Sequence, residues 1–282
     1  MSLERKDGVA FGKPYHSYFL DGVKAPGVTT ILQKAAKPGL VRWAARCAAD
    51  EAVNNWEQLA ELPLMERREV LLGAPDRDRD AAAGRGTEVH HLAERYINGQ
   101  PVTAPDELAG HFDAAVDFLQ RVRPAVVATE LAVASRAEHY AGTLDLIADL
   151  PELHAGLEVI PAGRWLLDFK TGRSGVWMET ALQLTAYSRA EFYVRESGGT
   201  EYPMADVGIT RCGAVWLRAD GWDLLPVTAN DETWAYFLHL AAIDRAGEAT
   251  RGWIGGAIDP PPARPIRVQR PRRVPRPRAA TG

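Results

Sequence analysis

Cysteine is scarce in this sequence: only Cys47 and Cys212 occur among 282 residues, and they stand far apart. A secreted disulfide framework requires several paired cysteines, and a structural zinc or iron–sulfur site requires about four grouped ligands. Two distant thiols can supply neither arrangement, so no iron–sulfur cluster is expected. Each cysteine is predicted to be a small, buried, apolar side chain.

Long apolar runs are also missing. No segment approaches the ~18 apolar residues of a membrane-spanning helix, and the amino terminus is charged rather than apolar. No Walker motif occurs, so no bound nucleotide is expected. Because 46% of the residues are hydrophobic and 25% are charged, the sequence is typical of a soluble globular protein, which we expect in the cytoplasm without membrane contact.

Lysine is the third scarce residue. Of the 33 basic residues, 27 are arginine and six are lysine, and Lys170 is the only lysine after Lys37. In a chain with this bias, a position that required only positive charge would be expected to carry arginine. Lysine differs from arginine because its compact ammonium group can shift its pKa when it is partly buried. Lys170 is therefore a candidate for a chemical role.

The net charge of −4 conceals an uneven distribution. Residues 260–282 contain seven arginines, many prolines and no acid, whereas the rest of the chain combines 26 basic with 37 acidic residues, a net charge of −11. A segment of this composition cannot build a core and is predicted to be disordered or polyproline-like. It is either an electrostatic arm for nucleic acid or a solubilising tail.

Residues 1–259 are predicted to form one domain, mainly helical over 1–125 and with a sheet core over 126–259. A hairpin over 18–32 is expected to turn at Asp21-Gly22. A helix is predicted to begin at Pro38, because proline suits the first helical position and the apolar residues after it recur at spacings of three and four. Further helices are predicted at 64–72, 87–97 and 106–122, with the charged run 77–80 as a solvated face or a loop.

The second half of the chain is richer in β-branched and alternating segments. Strands are predicted at 126–135, 139–149, 165–170, 213–217 and 222–227, and helices at 178–194 and 232–246. The expected fold class is α+β, in which a mixed central sheet is flanked by helices and preceded by a helical amino-terminal half.

Two acids and the lysine fall in these strands. Alternate side chains share one face of a strand, so Asp168 and Lys170 should point one way while Leu167 and Phe169 point toward a core. Carboxylates that hold Mg²⁺ allow a phosphate to be neutralised and a water to be activated, and a nearby lysine can orient or deprotonate that water. The pattern favours phosphodiester chemistry, with a pair of solvated surface charges as the alternative.

Five short motifs occur in order along the chain: Gly86 with His90, Glu130, Gly142 with Asp145, Asp168 with Lys170, and Gln183 with Tyr187. This ordered set resembles the PD-(D/E)XK nuclease superfamily, in particular its RecB-like branch, which includes CRISPR-associated and phage recombination exonucleases. The resemblance covers about 86–187, and more loosely 28–30 and 37–39. It implies a restriction-endonuclease-like core.

The resemblance also implies a metal centre. His90, Asp145 and Asp168 would bind one or two Mg²⁺ or Mn²⁺ ions, joined by the backbone carbonyl of Phe169, and imidazole beside carboxylates suits Mn²⁺ as well as Mg²⁺. Lys170 would position the attacking water. For His90 the alternative is a paired surface histidine.

Other candidate residues surround that centre. Glu130 is a candidate catalytic residue near a second metal or the phosphate end, although a glutamate at a strand edge is often merely exposed. Gln183 and Tyr187 stand four apart on one helix face, where they can contact a DNA phosphate or hold the lysine. Thr171 and Arg173 are predicted to lie beside the DNA backbone.

The function implied by the resemblance is a metal-dependent DNA exonuclease in phage or bacterial recombination or repair. Its partners in the bacterial host cytoplasm would be linear double-stranded or single-stranded DNA ends and a single-strand annealing protein. Two alternatives stay open: a structure-specific or restriction-like endonuclease, and a non-catalytic DNA-binding module. Neither the polarity of digestion nor the oligomeric state follows from the sequence.

Overall fold

A computed structural model describes residues 2–10 and 13–258 of the chain. The basic segment 260–282 lies outside the described residues. Within the described ranges, no helix combines the length and the apolarity that crossing a membrane would require.

Twelve strands and seven α-helices make up this part of the chain. The strands are β1 (Leu3–Ala10), β2 (Lys13–Leu20), β3 (Val23–Ala25), β4 (Ala125–Ser135), β5 (Tyr140–Leu150), β6 (Leu153–Ala155), β7 (Glu158–Ile160), β8 (Gly163–Lys170), β9 (Phe192–Val194), β10 (Glu201–Pro203), β11 (Arg211–Arg218) and β12 (Gly221–Val227). The helices are α1 (Val28–Leu32), α2 (Gly39–Asn54), α3 (Trp56–Glu61), α4 (Leu64–Ile97), α5 (Ala109–Val122), α6 (Met178–Ser188) and α7 (Asp231–Ala249).

A seven-stranded mixed sheet forms the centre, with strand order β10-β9-β4-β5-β8-β11-β12. Strands β8 and β11 pair in parallel, and the other neighbours pair antiparallel. Strands β1, β2 and β3 form a separate antiparallel sheet, and β6 and β7 form a small ribbon. The predicted α+β class with a large mixed sheet is confirmed.

Helices cover both faces of the central sheet. Leu166 of β8 is buried in a cluster with Leu184 of α6 and Phe237 of α7. Its neighbour Leu167 is buried in a second cluster with helices α4 and α5, which also contains Phe169. Successive residues of β8 therefore face opposite layers, and the predicted orientation of Leu167 and Phe169 toward a core is confirmed.

The amino-terminal hairpin turns at Asp21-Gly22 as predicted, but the extended segment predicted at 28–32 is wrong, because these residues form α1. Val28, Ile31 and Leu32 are buried together in the α6 and α7 cluster. Their spacing of three and four positions suits one helical face. Burial on that face outweighs the preference of valine, threonine and isoleucine for strands.

Helix α4 is 34 residues long and joins two predicted helices through the charged run 77–80. Pro75 lies inside it and removes one backbone donor, which favours a break. Contacts with α2 oppose the break: Arg77 forms an ion pair with Glu51 at 3.1 Å, and Trp43 Nε1 donates to Asp78 at 3.2 Å. The predicted end of the helix before Asn98 is confirmed.

Helix α2 begins at Gly39, one residue after the predicted start at Pro38, and its apolar face does not enter the core. None of its residues is buried, and Val41 is 78% exposed. Cys47 lies on this helix and is only partly buried, so the prediction for it is wrong, whereas Cys212 is buried as expected. The three- and four-residue spacing predicted the helix but not its packing partner.

Helix α6 ends at Ser188, six residues before the predicted end at 194. Residues 192–194 instead form β9, which pairs with β4 and places Phe192 and Val194 in a buried cluster with Ala132 and Ala134. Aromatic and β-branched side chains pack well on a sheet. Pairing with β4 therefore determines that this segment is a strand and not the end of a helix.

Gly110 of α5 lies against the turn between β11 and β12. A Cβ atom there would be 2.6 Å from the carbonyl oxygen of Ala219. Because this neighbour is backbone, Gly110→Ala is expected to destabilise the protein by about 1–3 kcal/mol, measured by thermal or urea unfolding. Gly84→Ala on α4, where the added Cβ meets nothing within 4 Å, is the control and should stabilise the protein by up to about 1 kcal/mol. Equal stabilities of the two variants would contradict this packing.

Candidate active site

The candidate site lies where the pairing of two central strands ends. The ladder between β5 and β8 ends at Leu146 and Leu167. Beyond this point the carboxylate Oδ2 of Asp145 accepts the backbone N–H of Phe169 at 2.9 Å. The Asp145 side chain thus takes the place of a β5 backbone carbonyl as the hydrogen-bond acceptor for Phe169. This contact brings Asp145 next to the Asp168-Phe169-Lys170 segment.

His90 of α4 joins this junction from the helical layer. Its Nε2 donates to the carbonyl oxygen of Phe169 at 2.7 Å, and its Nδ1 lies 3.3 Å from Asp145 Oδ2. Burial alone would lower the pKa of His90, but the charge of Asp145, its hydrogen bond to the ring and the charge of Asp168 together outweigh burial and raise the pKa to about 9. The structure therefore brings together three of the predicted metal-site groups: His90, Asp145 and the Phe169 carbonyl.

Asp168 and Lys170 lie on the α6 side of the same junction. Asp168 is 1% exposed, and its Oδ2 lies 2.6 Å from Lys170 Nζ. Burial lowers the pKa of Lys170, but the charges of Asp168 and Asp145 outweigh it and raise the pKa above its ordinary value. Lys170 is thus held as an ammonium ion between the acids.

Gln183 of α6 connects these charged groups. Its Oε1 accepts a hydrogen bond from Lys170 Nζ at 3.0 Å, and its Nε2 donates to Asp168 Oδ1 at 2.9 Å. Tyr187 lies one turn later, with its hydroxyl 3.4 Å from Gln183 Nε2. Both side chains are buried, which favours holding the lysine over contacting a DNA phosphate, the two roles considered for them.

Two motif glycines make room for these side chains. A Cβ on Gly142 would lie 2.5 Å from Cε1 of Tyr187, so the tyrosine ring rests directly on the β5 backbone. A Cβ on Gly86 would lie 3.3 Å from Thr171 Oγ1, so α4 closely approaches the segment after Lys170. His90 follows Gly86 by about one helical turn, which gives the Gly-x-x-x-His spacing a physical reason.

The contact between Gly142 and Tyr187 can be tested by a double-mutant cycle. Gly142→Ala is expected to destabilise the protein by roughly 1–3 kcal/mol, because the buried ring has no free space to enter. In a Tyr187→Leu background, which removes the ring, the same change should cost less. Unfolding midpoints of the wild type, both single variants and the double variant measure the coupling. Strictly additive losses would contradict the contact.

Glu130 lies beside this group rather than inside it. Its backbone adopts a left-handed φ of 50°, which is unusual for a non-glycine residue. Burial raises its pKa to about 7, and the charges of Asp145 and Glu94 add to the effect. Glu130 also lines a cleft of about 320 Å³ with Arg5, His91 and Glu94.

The amino-terminal hairpin contributes groups that the sequence patterns did not predict. Arg5 Nη1 lies 3.7 Å from Glu130 Oε2 and donates to Thr143 Oγ1 at 3.1 Å. The hydroxyl of Tyr18 lies 3.0 Å from the same Thr143 oxygen. No local motif marks Arg5 or Tyr18, because their positions depend on packing of the β1–β3 sheet against the central sheet.

The remaining predicted residues, Thr171 and Arg173, follow Lys170 in a loop. Thr171 is half-buried beside Gly86, and Arg173 is exposed. The loop is anchored where Trp216 Nε1 donates to the Gly172 carbonyl at 2.8 Å. Trp216 pairs with Lys170 in the parallel β8–β11 ladder, so the anchor lies at the same strand end.

The donor set suits a hard divalent cation. Asp168 Oδ2 is buried and accepts no aligned hydrogen bond, although Lys170 Nζ lies close to it. Such an oxygen, together with Asp145, the Phe169 carbonyl and an imidazole, has the ligand chemistry of Mg²⁺ or Mn²⁺. Among residues 2–10 and 13–258, no three His, Cys, Asp or Glu side chains already form a metal-binding group. The acids instead contact His90 and Lys170.

No protein-family model matches this chain, and no curated protein matches it significantly. The ordered motifs and the contacts between their residues are therefore the features that indicate a function.

Proposed function

We propose that this protein is a metal-dependent deoxyribonuclease of the PD-(D/E)XK superfamily, with a restriction-endonuclease-like core and the RecB-like motif order. The observation that carries the proposal is the meeting of Asp145, Asp168 and Lys170 at one strand end, with His90 beside them. These residues come from separate motifs, and unrelated surface charges are not expected to lie within contact distance of one another. The mixed sheet with helices on both faces supports the proposed core.

The chain's own groups have distinct tasks in this proposal. Asp145, Asp168 and the Phe169 carbonyl would hold the cation, and His90 would join them as a neutral imidazole after releasing the proton that Asp145 stabilises. When bound, the cation would neutralise phosphate charge and lower the pKa of a water ligand. Gln183 holds the Lys170 ammonium in place through its side-chain oxygen. Because Lys170 is protonated, its Nζ would donate to the attacking water or to a phosphate oxygen rather than remove a proton.

We propose an exonuclease rather than an endonuclease, acting at linear DNA ends and leaving 5′-phosphate and 3′-hydroxyl products. This choice comes from the resemblance to phage and CRISPR-associated members that lack an iron–sulfur cluster. The complete set of acids and lysine supports catalysis over a non-catalytic DNA-binding module, since a site that has lost its activity usually lacks at least one of these groups.

A digestion experiment tests this proposal. With Mg²⁺ or Mn²⁺, end-labelled linear duplex or single-stranded DNA should be degraded, whereas covalently closed circular DNA should stay intact. Chelation of the metal should stop the reaction, and its return should restore it. Degradation of the circle at a comparable rate would favour the endonuclease. DNA binding without cleavage under every metal condition would favour the non-catalytic module.

A further inference from the structure

The loop 171–177, which follows Lys170, ends in a tryptophan that is open to solvent. Trp177 is 63% exposed, and the next residue, Met178, is 69% exposed. Both side chains are large and apolar, and neither belongs to the acids, the histidine or the lysine-holding groups of the candidate site. A single exposed apolar residue on a protein surface needs no explanation. The contacts and the position of Trp177 therefore decide whether it has a role.

Hydrogen bonds hold both the loop and the indole ring at the end of β8. The carbonyl oxygen of Gly172 accepts Trp216 Nε1 at 2.8 Å and the backbone N–H of Gly175 at 3.4 Å. Within the turn closed by these bonds, Ser174 Oγ accepts Trp177 Nε1 at 3.2 Å. The indole is thus tied by its polar edge while most of its surface stays exposed. A ring that is already held loses less freedom when a ligand packs against it, which lowers the cost of binding.

Helix α6 sets the distance between Trp177 and the candidate site. Trp177 is the residue that directly precedes the first turn of α6, and Gln183 follows it by six positions. The Gln183 side chain contacts both Lys170 and Asp168. At 1.5 Å per residue, Trp177 and Gln183 are about 9 Å apart along the helix axis. Stacked nucleotides of one strand are about 3.4 Å apart, so Trp177 lies about two or three nucleotides from a phosphate bound at Lys170.

The chemistry of this surface suits a nucleobase better than a phosphate. The indole face of Trp177 and the thioether of Met178 carry no charge, and the indole N–H is already bonded to Ser174. Bases stack on aromatic side chains in a manner that tolerates any sequence, because every base has a π-face. A base can reach such a ring only after it has left its own partner strand. Trp177 therefore favours a strand that is unpaired near the candidate site.

We propose that Trp177 is a stacking platform for an unpaired base of the DNA strand that is cleaved, and that the substrate is therefore single-stranded DNA or a frayed duplex end. Met178 extends the apolar surface beside the ring. This inference rests on the proposed nuclease function and deepens it by naming the form of DNA that the site accepts. Trp177 positions the strand and takes no part in breaking the phosphodiester bond.

Binding of strands with and without bases tests the platform separately from cleavage. One probe is a fluorescein-labelled oligothymidylate, and the other is a labelled strand of the same length in which every sugar lacks its base. Both are titrated by anisotropy in EDTA, so that metal-dependent hydrolysis does not occur. Trp177→Ala should weaken binding of the oligothymidylate by roughly 5- to 150-fold, the effect of losing one stacked base, and leave binding of the abasic strand unchanged. Trp177→Phe retains a ring and should keep most of the affinity.

Trp56→Ala is the matched control. Trp56 is 61% exposed, almost as much as Trp177, and it follows the carboxyl end of α2. The segment before α2 contacts α6, because Lys37 Nζ lies 3.1 Å from Glu179 Oε1. The 16 residues of α2 span about 24 Å, so Trp56 lies far from that contact. The control variant should bind both probes as the wild type does.

The outcomes separate this inference from the proposed function. If Trp177→Ala binds the oligothymidylate as tightly as the wild type, the platform is wrong, and the nuclease proposal stands as long as wild-type protein cleaves DNA. Equal losses on both probes would also overturn the platform, because a disturbed loop does not distinguish a base from its absence. Cleavage of fully paired duplex alone would overturn the unpaired substrate. If wild-type protein neither binds nor cleaves any DNA, both proposals are overturned.

Discussion

Replacing Lys170 by methionine is expected to lower the rate of DNA hydrolysis by roughly 10²- to 10⁴-fold. Methionine has a similar length but no charge, so the donor that lies 2.6 Å from Asp168 and 3.0 Å from Gln183 is lost. The rate is measured with end-labelled linear duplex DNA at saturating Mg²⁺ or Mn²⁺. Undiminished cleavage by this variant would rule out the proposed site.

Lys24→Met provides the matched control for that experiment. Lys24 is an exposed residue of β3, and the same substitution there removes one positive charge without touching the candidate site. Its hydrolysis rate should stay near that of the wild type. Thermal unfolding of both variants separates a catalytic loss from a folding defect. A variant that has the wild-type unfolding midpoint but no activity is folded and impaired in catalysis.

Asp145→Asn is expected to abolish the response of the protein to divalent metal. A ligand present at 100 times its Kd stabilises the folded state by about 2.7 kcal/mol, which raises the unfolding midpoint of a protein of this size by roughly 5 °C. Asparagine retains an oxygen that can accept the Phe169 N–H but removes the negative charge that attracts the cation. The midpoint of the variant should therefore be the same with Mn²⁺ as with EDTA, and cleavage should be lost.

Asp149→Asn is the control on the same strand. Asp149 is bound to Arg164 through two hydrogen bonds at the far end of β5, away from Lys170. The Asp149→Asn variant should keep the full metal-induced rise in its unfolding midpoint. A metal response that persists in Asp145→Asn but disappears in Asp149→Asn would assign the cation to a different part of the protein.

Much of the fold follows from local sequence patterns. The five longest predicted strands all occur, because alternating or β-branched segments bounded by turns have few other stable states. The errors fall where a tertiary partner decides the outcome. Residues 28–32 become helical because one face is buried, and residues 192–194 become a strand because β4 offers an edge. The local sequence of a segment does not show which distant segment will pack against it.

In the candidate site, too, local patterns predict which residues take part, whereas tertiary packing decides how they contact one another. The spacing of Asp168 and Lys170 predicts a shared strand face, and the ordered motifs predict which distant residues join them. The direction of each contact could not be predicted, because it depends on how α6 docks. Gln183 faces inward to Lys170 and Asp168 instead of outward, and this follows from burial of Leu182 and Leu184 on either side of it.

The parallel pairing of β8 with β11 has one more consequence. Parallel neighbours cannot be joined by a tight turn, so the chain must return along the sheet before β11 can begin. That return path contains α6, and α6 carries Gln183. The connection therefore fixes the distance between the lysine and its amide partner. Lengthening the loop at 171–177 should uncouple the two groups, whereas extra residues at 195–200, after α6 has ended, should leave their spacing intact.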